Sequence, residues 1–170
     1  MMYDINDLDK VDRSCDGCTK CCEGYLSGQA YDKQFMHGRP CHFVLLGKGC
    51  SIYEDRPHSP CQTFKCAWVI DNHREFPEWM KPSLSNIIIV PRHIDDILYM
   101  DVIEAGSKID SSILNWLFLY SLEKKINMRV QIGGGHHNYG SKEFQSVMQR
   151  NFEEDHKLLK DRNNRDKSDS

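Results

Sequence analysis

The eight cysteines are the side chains best able to do chemistry, and all lie in the first 66 of 170 residues. Cys15, Cys18 and Cys21 follow one another at C-x2-C spacing, and Cys22 comes directly after them. A C-x2-C step lets two thiolates converge on one metal, so two successive steps place three thiolates around a common centre. Zinc sites and iron–sulfur clusters usually need four ligands. The spacing therefore predicts metal binding, with a fourth ligand from Cys22 or from farther along the chain.

Four further thiols follow this cluster, namely Cys41, Cys50, Cys61 and Cys66. Eight thiolates divide into two sets of four, which makes two centres attractive. Neighbouring side chains tend to diverge, so the adjacent Cys21 and Cys22 would more naturally serve two nearby centres, or one ligand and one bystander. His37 and His42 lie close to Cys41, which leaves a mixed Cys/His ligand set open.

Disulfides and unrelated buried thiols are the two alternatives to metal. Disulfides need an oxidising compartment, whereas the first residues, MMYDINDLDK, lack the apolar stretch of a signal peptide. We therefore expect a cytoplasmic, reducing location in which thiols are available to metal. Buried thiols with no shared role have no reason to recur at two-residue spacing. Metal is the favoured interpretation.

The ligand types suit both zinc and iron. The C-x2-C-x2-C run is similar to the ferredoxin pattern, although the fourth cysteine is adjacent instead of three residues on. Zinc sites usually pair two C-x2-C steps, and no second step follows Cys22. The sequence narrowly favours an iron–sulfur cluster, such as [4Fe–4S], over Zn²⁺.

A second candidate site is the glycine–histidine stretch Gly133–Gly140, which we predict to be a loop between a strand and a helix. Its glycine amides could form an anion-binding nest, and His136 or His137 could bind or transfer a proton. The alternative function is therefore an iron–sulfur- or zinc-dependent enzyme of unknown substrate that uses this loop. A flexible connection with exposed histidines is favoured, because no phosphate-loop lysine follows.

Charge and hydropathy narrow the partners. The formal net charge is -3, with no basic stripe, so we expect no nucleic acid and no anionic membrane surface. No segment reaches the roughly eighteen uninterrupted apolar residues of a membrane span. A protein partner is left open. The chain is more readily a structural or electron-transfer module than an enzyme, because nothing in it marks a substrate.

The elements that position the cysteines are predicted from composition. Residues 1–14 form an N-terminal arm, 15–82 a cysteine-rich metal-chelating region and 83–159 a cysteine-free α+β unit. The tail, 160–170, is charged and is predicted to be disordered. The cysteine-rich region and the α+β unit are predicted to form one compact α+β domain, in which the irregular cysteine-rich half packs on a small sheet with two helices.

Within the α+β unit the predicted order is strand, strand, helix, strand, helix. The predicted elements are strands over 86–91, 98–104 and 128–132, a helix from Asp110 to about Ile126, and a helix from Ser141 to about Leu159. The first helix carries an apolar stripe, which consists of Ile113, Leu114, Leu117, Phe118 and Leu122. A hydrophobic bridge between the halves is predicted at Trp68, Phe76, Pro77, Trp79 and Pro82.

A metal centre bound by four thiolates would carry a net negative charge, which basic side chains nearby could offset. Four thiolates around Zn²⁺ or a [4Fe–4S]²⁺ cluster carry about two net negative charges. Four basic side chains lie within the array, namely Lys20, Arg39, Arg56 and Lys65. An equally good interpretation of Arg56 is a surface pair with Asp55 or Glu54.

Residues 15–66 resemble a known family. The matching motifs are C-D-G-C-T-K-C-C at 15–22, P-C-H-F at 40–43, C-S-I-Y-E-D-R-P at 50–57, Cys61, and F-K-C at 64–66. They resemble the CxxCxxCC family of zinc- or iron-chelating, YkgJ-like cysteine cluster proteins. The resemblance implies a metal-chelating domain with all eight cysteines as the ligand set, and it implies no activity.

Overall fold

The computed structural model describes residues 13–15 and 17–168, so nearly all of the predicted arm 1–14 lies outside the described residues. The fold is α+β, as predicted, with small sheets and helices that follow one another along the chain. An irregular cysteine-rich half precedes a four-stranded sheet and its two long helices.

The cysteine-rich half contains two small hairpins and several short turns. Strand β1 (Gly28–Ala30) pairs antiparallel with β2 (Lys33–Phe35), and β3 (Val44–Leu45) pairs antiparallel with β4 (Gly49–Cys50). Short helices α1 (Ala67–Ile70) and α2 (Pro82–Ser85) follow. Helical turns lie at Lys20–Cys22, His58–Gln62 and Glu78–Met80. None of these elements is long enough to form a core alone.

The second half is a four-stranded sheet with the strand order β5-β6-β7-β8. Its elements are β5 (Ile87–Ile94), β6 (Ile97–Glu104), α3 (Ser111–Lys124), β7 (Asn127–Ile132), β8 (Gly135–Tyr139) and α4 (Lys142–Ser168). The β5–β6 and β7–β8 pairs are antiparallel hairpins, and β6–β7 is parallel. A parallel pair needs a long crossover, which α3 provides.

Local sequence explains the ends of α3. The carboxylate of Asp110 accepts a hydrogen bond from the Ser112 amide at 2.8 Å, which satisfies one of the unpaired donors of the first turn. Lys125 closes the helix in the left-handed conformation, with φ at 55°. The cap at Asp110 confirms the predicted start of the helix. The helix ends at Lys124, two residues before the predicted end at about Ile126.

The two faces of the sheet have different partners. On one face lie Val102, Met128 and Tyr139, and α3 covers it, with the Phe118 ring edge-on to Tyr139 at 4.5 Å. Alternation along the strands puts Val90, Asp101 and Arg129 on the opposite face, where they share one cavity with the cysteine-rich half. Helix α4 packs at the end of that face, through Tyr99 and Phe144.

The predicted bridge between the halves is present at its aromatic residues. Trp68 and Phe76 are buried in the main core. The rings of Phe76 and Trp79 lie 5.9 and 5.6 Å from that of Trp116 on α3. Tyr120 extends the contact, because its hydroxyl donates to a Glu75 carboxylate oxygen at 2.6 Å. The halves therefore share one core.

The structure differs from the predictions for the Gly133–Gly140 loop, for the tail 160–170 and for part of the apolar stripe on α3. The predicted loop at Gly133–Gly140 contains strand β8, which Gly133 and Gly134 join to β7 by a tight turn with positive φ angles of 58° and 83°. Helix α4 continues to Ser168, so most of the predicted disordered tail 160–170 is helical. Lys and Arg are good helix formers, and their abundance there favours continuation.

Helix α3 packs four members of the predicted stripe on the main core, but not the fifth, and the four are Ile113, Leu114, Leu117 and Phe118. Leu122 is 74% exposed, whereas Tyr120 and Ser121 are buried beside Leu117. Apolar residues occur around most of this helix, so the sequence pattern leaves the buried face ambiguous. Within the described part of the chain, no helix combines the length and the apolar character that crossing a membrane requires.

Candidate metal centre

All eight cysteines line one cavity of about 1290 Å³ between the cysteine-rich half and the sheet. None of them forms a disulfide. Their side chains range from buried, at Cys41 and Cys66, to exposed, at Cys15. Residues up to 51 positions apart in the sequence are thus brought to a single site.

The thiols are gathered but not in coordinating geometry. Among residues 13–15 and 17–168, no group of three or more His, Cys, Asp or Glu side chains forms a ready-made metal-binding group. Metal binding would therefore require the side chains to close further around an ion or cluster. Packing contacts and the relative size of the electrostatic interactions indicate which thiols are neighbours.

One set of thiols surrounds Cys21. Burial raises the pKa of the Cys21 thiol well above its usual range, and the thiols of Cys66, Cys18 and Cys15 raise it further, with the adjacent Cys22 contributing least. Burial likewise raises the pKa of Cys66 to about 11, with Cys15 and Cys18 contributing in the same direction. We call these four thiols set one: Cys15, Cys18, Cys21 and Cys66.

A second set surrounds Cys22. Burial raises the pKa of Cys22 to about 12, and the next largest contributions come from Cys41, Cys61 and Cys50, with Cys15 contributing least. Burial, then Cys41 and Cys50, raises the pKa of Cys61. Cys22, Cys41 and Cys61 also belong to one small apolar cluster. We call these four thiols set two: Cys22, Cys41, Cys50 and Cys61.

The turn Lys20–Cys22 separates the two sets. Its amide at Cys22 donates to the Thr19 carbonyl at 2.8 Å, and the turn leaves Cys21 against the main core and Cys22 against the small cluster. The Cys41 amide donates to the Cys22 carbonyl at 2.8 Å, which brings the next thiol of set two alongside. The adjacent cysteines thus diverge, as their adjacency predicts.

Glycine is required just after this turn. Gly24 has a φ of +90°, and a Cβ there would lie 2.8 Å from the Met36 carbonyl oxygen. The close passage of these two backbone segments carries Cys41 to Cys22. A larger residue would push the segments apart and separate thiols within set two.

Arg13 fixes the start of set one. Its side chain is 5% exposed and donates to the carbonyls of Trp68 and Phe76, at 3.1 and 2.7 Å. It also forms ion pairs with Asp71 at 3.1 Å and Glu78 at 3.0 Å. Because Trp68 lies in α1, directly after Cys66, Arg13 ties the segment that carries Cys15 to the segment that carries Cys66.

The cavity is strongly basic, although the chain is acidic overall. Among the described lining residues there are seven Lys or Arg side chains and one acidic side chain, Asp101. The basic residues are Arg13, Lys48, Arg56, Lys65, Lys81, Arg92 and Arg129. Two four-thiolate centres would together carry about four negative charges, so this lining would offset them.

Arg56 lies beside the thiols of set two, where it could offset their charge. Its guanidinium lies 3.7 Å from the centre of the Tyr53 ring and donates to the Tyr53 carbonyl. Its charge acts to lower the pKa of Cys61. It forms no ion pair with Glu54 or Asp55, all three residues being described. The interpretation as a surface pair is therefore wrong.

Other predicted ligands and counter-charges lie elsewhere. His37, Arg39 and His42 are not among the residues that line the cavity. Lys20 pairs with Glu23 at 3.2 Å. The mixed Cys/His ligand set therefore receives no support, and Lys65 and Arg56 are the members of the predicted basic group that face the thiols.

The glycine–histidine stretch contributes one residue to the site. His136 lines the cavity, and burial, then Arg129, lowers its pKa, which favours the neutral ring at neutral pH. His137 pairs with Val130 and so lies on the other face of the sheet. The Gly133 amide donates to a Glu104 carboxylate oxygen at 3.1 Å, so the predicted anion nest is not supported.

The cavity wall contains a charged group that the sequence reasoning missed. Arg92 and Arg129 both donate to the buried carboxylate of Asp101. The only signal in the sequence is an aspartate inside the apolar strand segment LYMDVIE. Three residues from three strands meet there through the sheet register, which spacing does not reveal.

The site and fold together define an α+β protein with a basic, thiol-lined cavity. Comparison of this chain with protein families, with curated proteins and with solved structures gives no match in any of the three. The resemblance to the YkgJ-like cysteine cluster family stays a prediction that rests on the motifs of residues 15–66.

Proposed function

We propose that this chain is a metal-binding protein with two adjacent centres, each held by four thiolates. Set one would hold the first centre and set two the second. The observation that carries this proposal is that Cys21 and Cys66 belong to the main core, whereas Cys22, Cys41 and Cys61 belong to the separate small cluster. The larger electrostatic contributions at Cys21 and Cys22 group Cys15, Cys18 and Cys50 accordingly. Four thiolates are the ligand set that both zinc and iron–sulfur clusters accept.

The energetics of the metal-free thiols favour the same conclusion. Burial and neighbouring thiols raise the pKa values of Cys21, Cys22, Cys61 and Cys66, so gathering these groups without a cation opposes ionisation. A bound metal reverses this effect, because it stabilises thiolates directly and displaces their protons. The basic lining contributes in the same direction.

The small core around set two also favours a structural role for metal. Its buried members are Ala30, Phe35 and Cys41, with Cys22, Phe43, Val44 and Cys61 packed against them. So few apolar side chains bury little surface, whereas a structural zinc site contributes on the order of 10 kcal/mol to folding. We infer that metal organises this part of the chain.

The function that follows is a structural or electron-transfer module in a reducing, cytoplasmic location, with an iron–sulfur cluster narrowly favoured over Zn²⁺. A cluster would supply one-electron chemistry, and zinc would supply a rigid fold. The chain's own residues hold the thiolates apart in two sets, offset their charge and keep the sites partly buried.

A metal-dependent enzyme is the second candidate. The observation that favours it is His136, which lies in the wall of the cavity that the thiols line. As a largely neutral ring it could accept a proton from a bound molecule. This version of the enzyme hypothesis uses one histidine of β8 instead of the Gly133–Gly140 loop.

Anaerobic purification tests the metal proposal. The full chain is expressed without a metal-binding tag, and iron, zinc and acid-labile sulfide are measured per chain beside the visible spectrum. We expect either two zinc ions per chain in a colourless protein or two clusters with iron and sulfide in equal amounts. A protein that carries no metal, with every thiol titratable and its fold unchanged by a chelator, would overturn the proposal.

A further inference from the structure

A row of charged side chains crosses the sheet on the face that points into the cavity. The carboxylate of Asp101 is 2% exposed and accepts bonds from Arg129 through Nε at 2.8 Å and Nη2 at 2.6 Å. Arg92 Nε donates to the same carboxylate at 2.8 Å. Register explains the meeting, because Asp101 on β6 is the direct partner of Arg129 on β7.

Two guanidinium groups donate to the single carboxylate of Asp101, although one would be enough to pair it. Arg129 alone occupies both oxygens of Asp101 in a fork, which is a complete pair for a buried carboxylate. Arg92 lines the cavity, is 46% exposed and bonds Asp101 through Nε, and among the described residues its two terminal nitrogens have no hydrogen-bond partner. A purely structural pair would not require this second, half-exposed arginine.

The surroundings extend the positive wall. Gln131 and His136 are direct partners on β7 and β8, and both line the cavity on the same face as Arg129. Lys81 lines it from the segment between the halves. Arg13 is already paired with Asp71 and Glu78, so the other basic lining residues exceed Asp101 and two four-thiolate centres by only about one positive charge.

We propose that this wall binds a small oxyanion, a carboxylate or a phosphate ester, between the guanidinium groups of Arg92 and Arg129. Asp101 fixes both arginines in place, so their planar donors are oriented before the ligand arrives. Gln131 and His136 supply neighbouring polar contacts. The site goes beyond metal binding and depends on neither the identity nor the number of the metals.

The position gives the anion a definite relation to the thiols. One cavity is bounded by the sheet wall and by both sets of cysteines, so a molecule held by its oxyanion would extend toward the thiols. The two proposed metal centres would occupy part of the cavity of about 1290 Å³, so the ligand we expect is a small carboxylate or phosphate ester that fits beside them.

Calorimetric titration of the full, metal-loaded chain tests the proposal. The probes are inorganic phosphate and succinate, each added at constant ionic strength, so that the phosphate and carboxylate sources are distinguished. We expect at least one probe to bind with a Kd of about 1 mM or lower. Arg92→Gln should weaken that binding roughly tenfold or more, because it removes charge-assisted donors.

The matched control is Arg150→Gln. Arg150 also pairs with an aspartate, Asp95, at 2.7 Å, but it lies on α4 and does not line the cavity. We expect this variant to bind the probe like the wild type. Metal content should be unchanged in both variants, which separates loss of anion binding from loss of the metal centres.

A measurement on the wild type keeps the proposal testable if Arg92→Gln fails to fold. Added phosphate or succinate should shift the ring resonances of His136 in an NMR titration and leave those of His156, which does not line the cavity, unchanged. If neither probe binds, if His136 does not respond, or if Arg92→Gln binds as tightly as the wild type, the anion site does not exist.

Discussion

At the scale of single residues, Cys21 and Cys22 carry the division of the site. They are adjacent in sequence, yet one packs against the main core and the other against the small cluster of set two. If they are ligands of two centres, as proposed, the peptide bond between them limits how far apart those centres can lie. Loss of either thiol should therefore affect one centre only.

Paired serine substitutions test this division. Cys21→Ser and Cys66→Ser each remove a ligand of set one, so each should lower the metal content per chain by about half, and the double variant should lose no more than either alone. Cys21→Ser combined with Cys22→Ser removes a ligand from both sets and should abolish binding. The measurement is metal per chain in anaerobically purified protein. Equal losses in the two double variants would contradict the grouping.

The sequence reveals some of these residues and conceals others. The thiols are visible because cysteine is rare and its C-x2-C spacing has a chemical meaning. Their assignment to sets is visible only in part, since Cys66 joins set one across the whole cysteine-rich half. Arg92, Asp101 and Arg129 are concealed, because ordinary charged residues gain significance only when register aligns three strands.

At the scale of elements, Arg13 holds the segment before Cys15 against α1 and the turn Glu78–Met80. It is 5% exposed and its partner Asp71 is 3% exposed. Asp71 also accepts the Phe76 amide at 2.7 Å, so the carboxylate organises the backbone between these two elements. The geometry of set one thus depends on a buried ion pair outside it.

Arg13→Met should separate these elements. The substitution leaves the Asp71 carboxylate buried without its charged partner, so the free energy of unfolding should fall by about 3 kcal/mol. Set one should then release its metal to a chelator sooner than set two. Urea unfolding and stepwise metal release measure the two effects.

Arg150→Met is the control for this prediction. The Arg150–Asp95 pair is exposed on both sides, so its loss should change stability by less than about 0.5 kcal/mol. If Arg13→Met released metal from both sets at the same rate as the wild type, Arg13 would have no positioning role.

Which elements could be predicted depends on how strongly they are patterned. Residues 87–91 of the run predicted at 86–91 lie inside β5, and the alternation at 128–132 lies inside β7, because buried or half-buried strands need those apolar residues. Strand β8 was missed because Gly-His-His-Asn-Tyr lacks apolar alternation, and backbone pairing with β7 defines it instead. The hairpins of the cysteine-rich half are too short to leave a periodic signal.

At the scale of the whole molecule, the chain separates two kinds of core. The sheet half has a continuous apolar core shared with Trp68 and Phe76, and it does not need metal to bury its strands. The region of set two depends on few apolar residues and on thiols. The pH dependence of stability should therefore have opposite signs in the metal-loaded and metal-free proteins.

The sign follows from the thiol pKa values. In the metal-free fold burial raises the pKa of Cys66 to about 11 and that of Cys22 to about 12, above the value of about 8.5 for an unfolded chain. Stability from these neutral thiols is present below the unfolded value and is lost as pH rises through the folded values. In the loaded protein the thiolates are bound to metal, so protons compete and stability is lost as pH falls.

Urea unfolding across a pH series, with and without a chelator and under reducing conditions, measures this reversal. The midpoint of the loaded protein should fall below about pH 6, and that of the metal-free protein should fall above about pH 9. The Cys21→Ser/Cys22→Ser double variant should lose the acid-side transition because it has no metal to release. A loaded protein whose midpoint does not change between acid and neutral pH would show that its thiols are not the ligands.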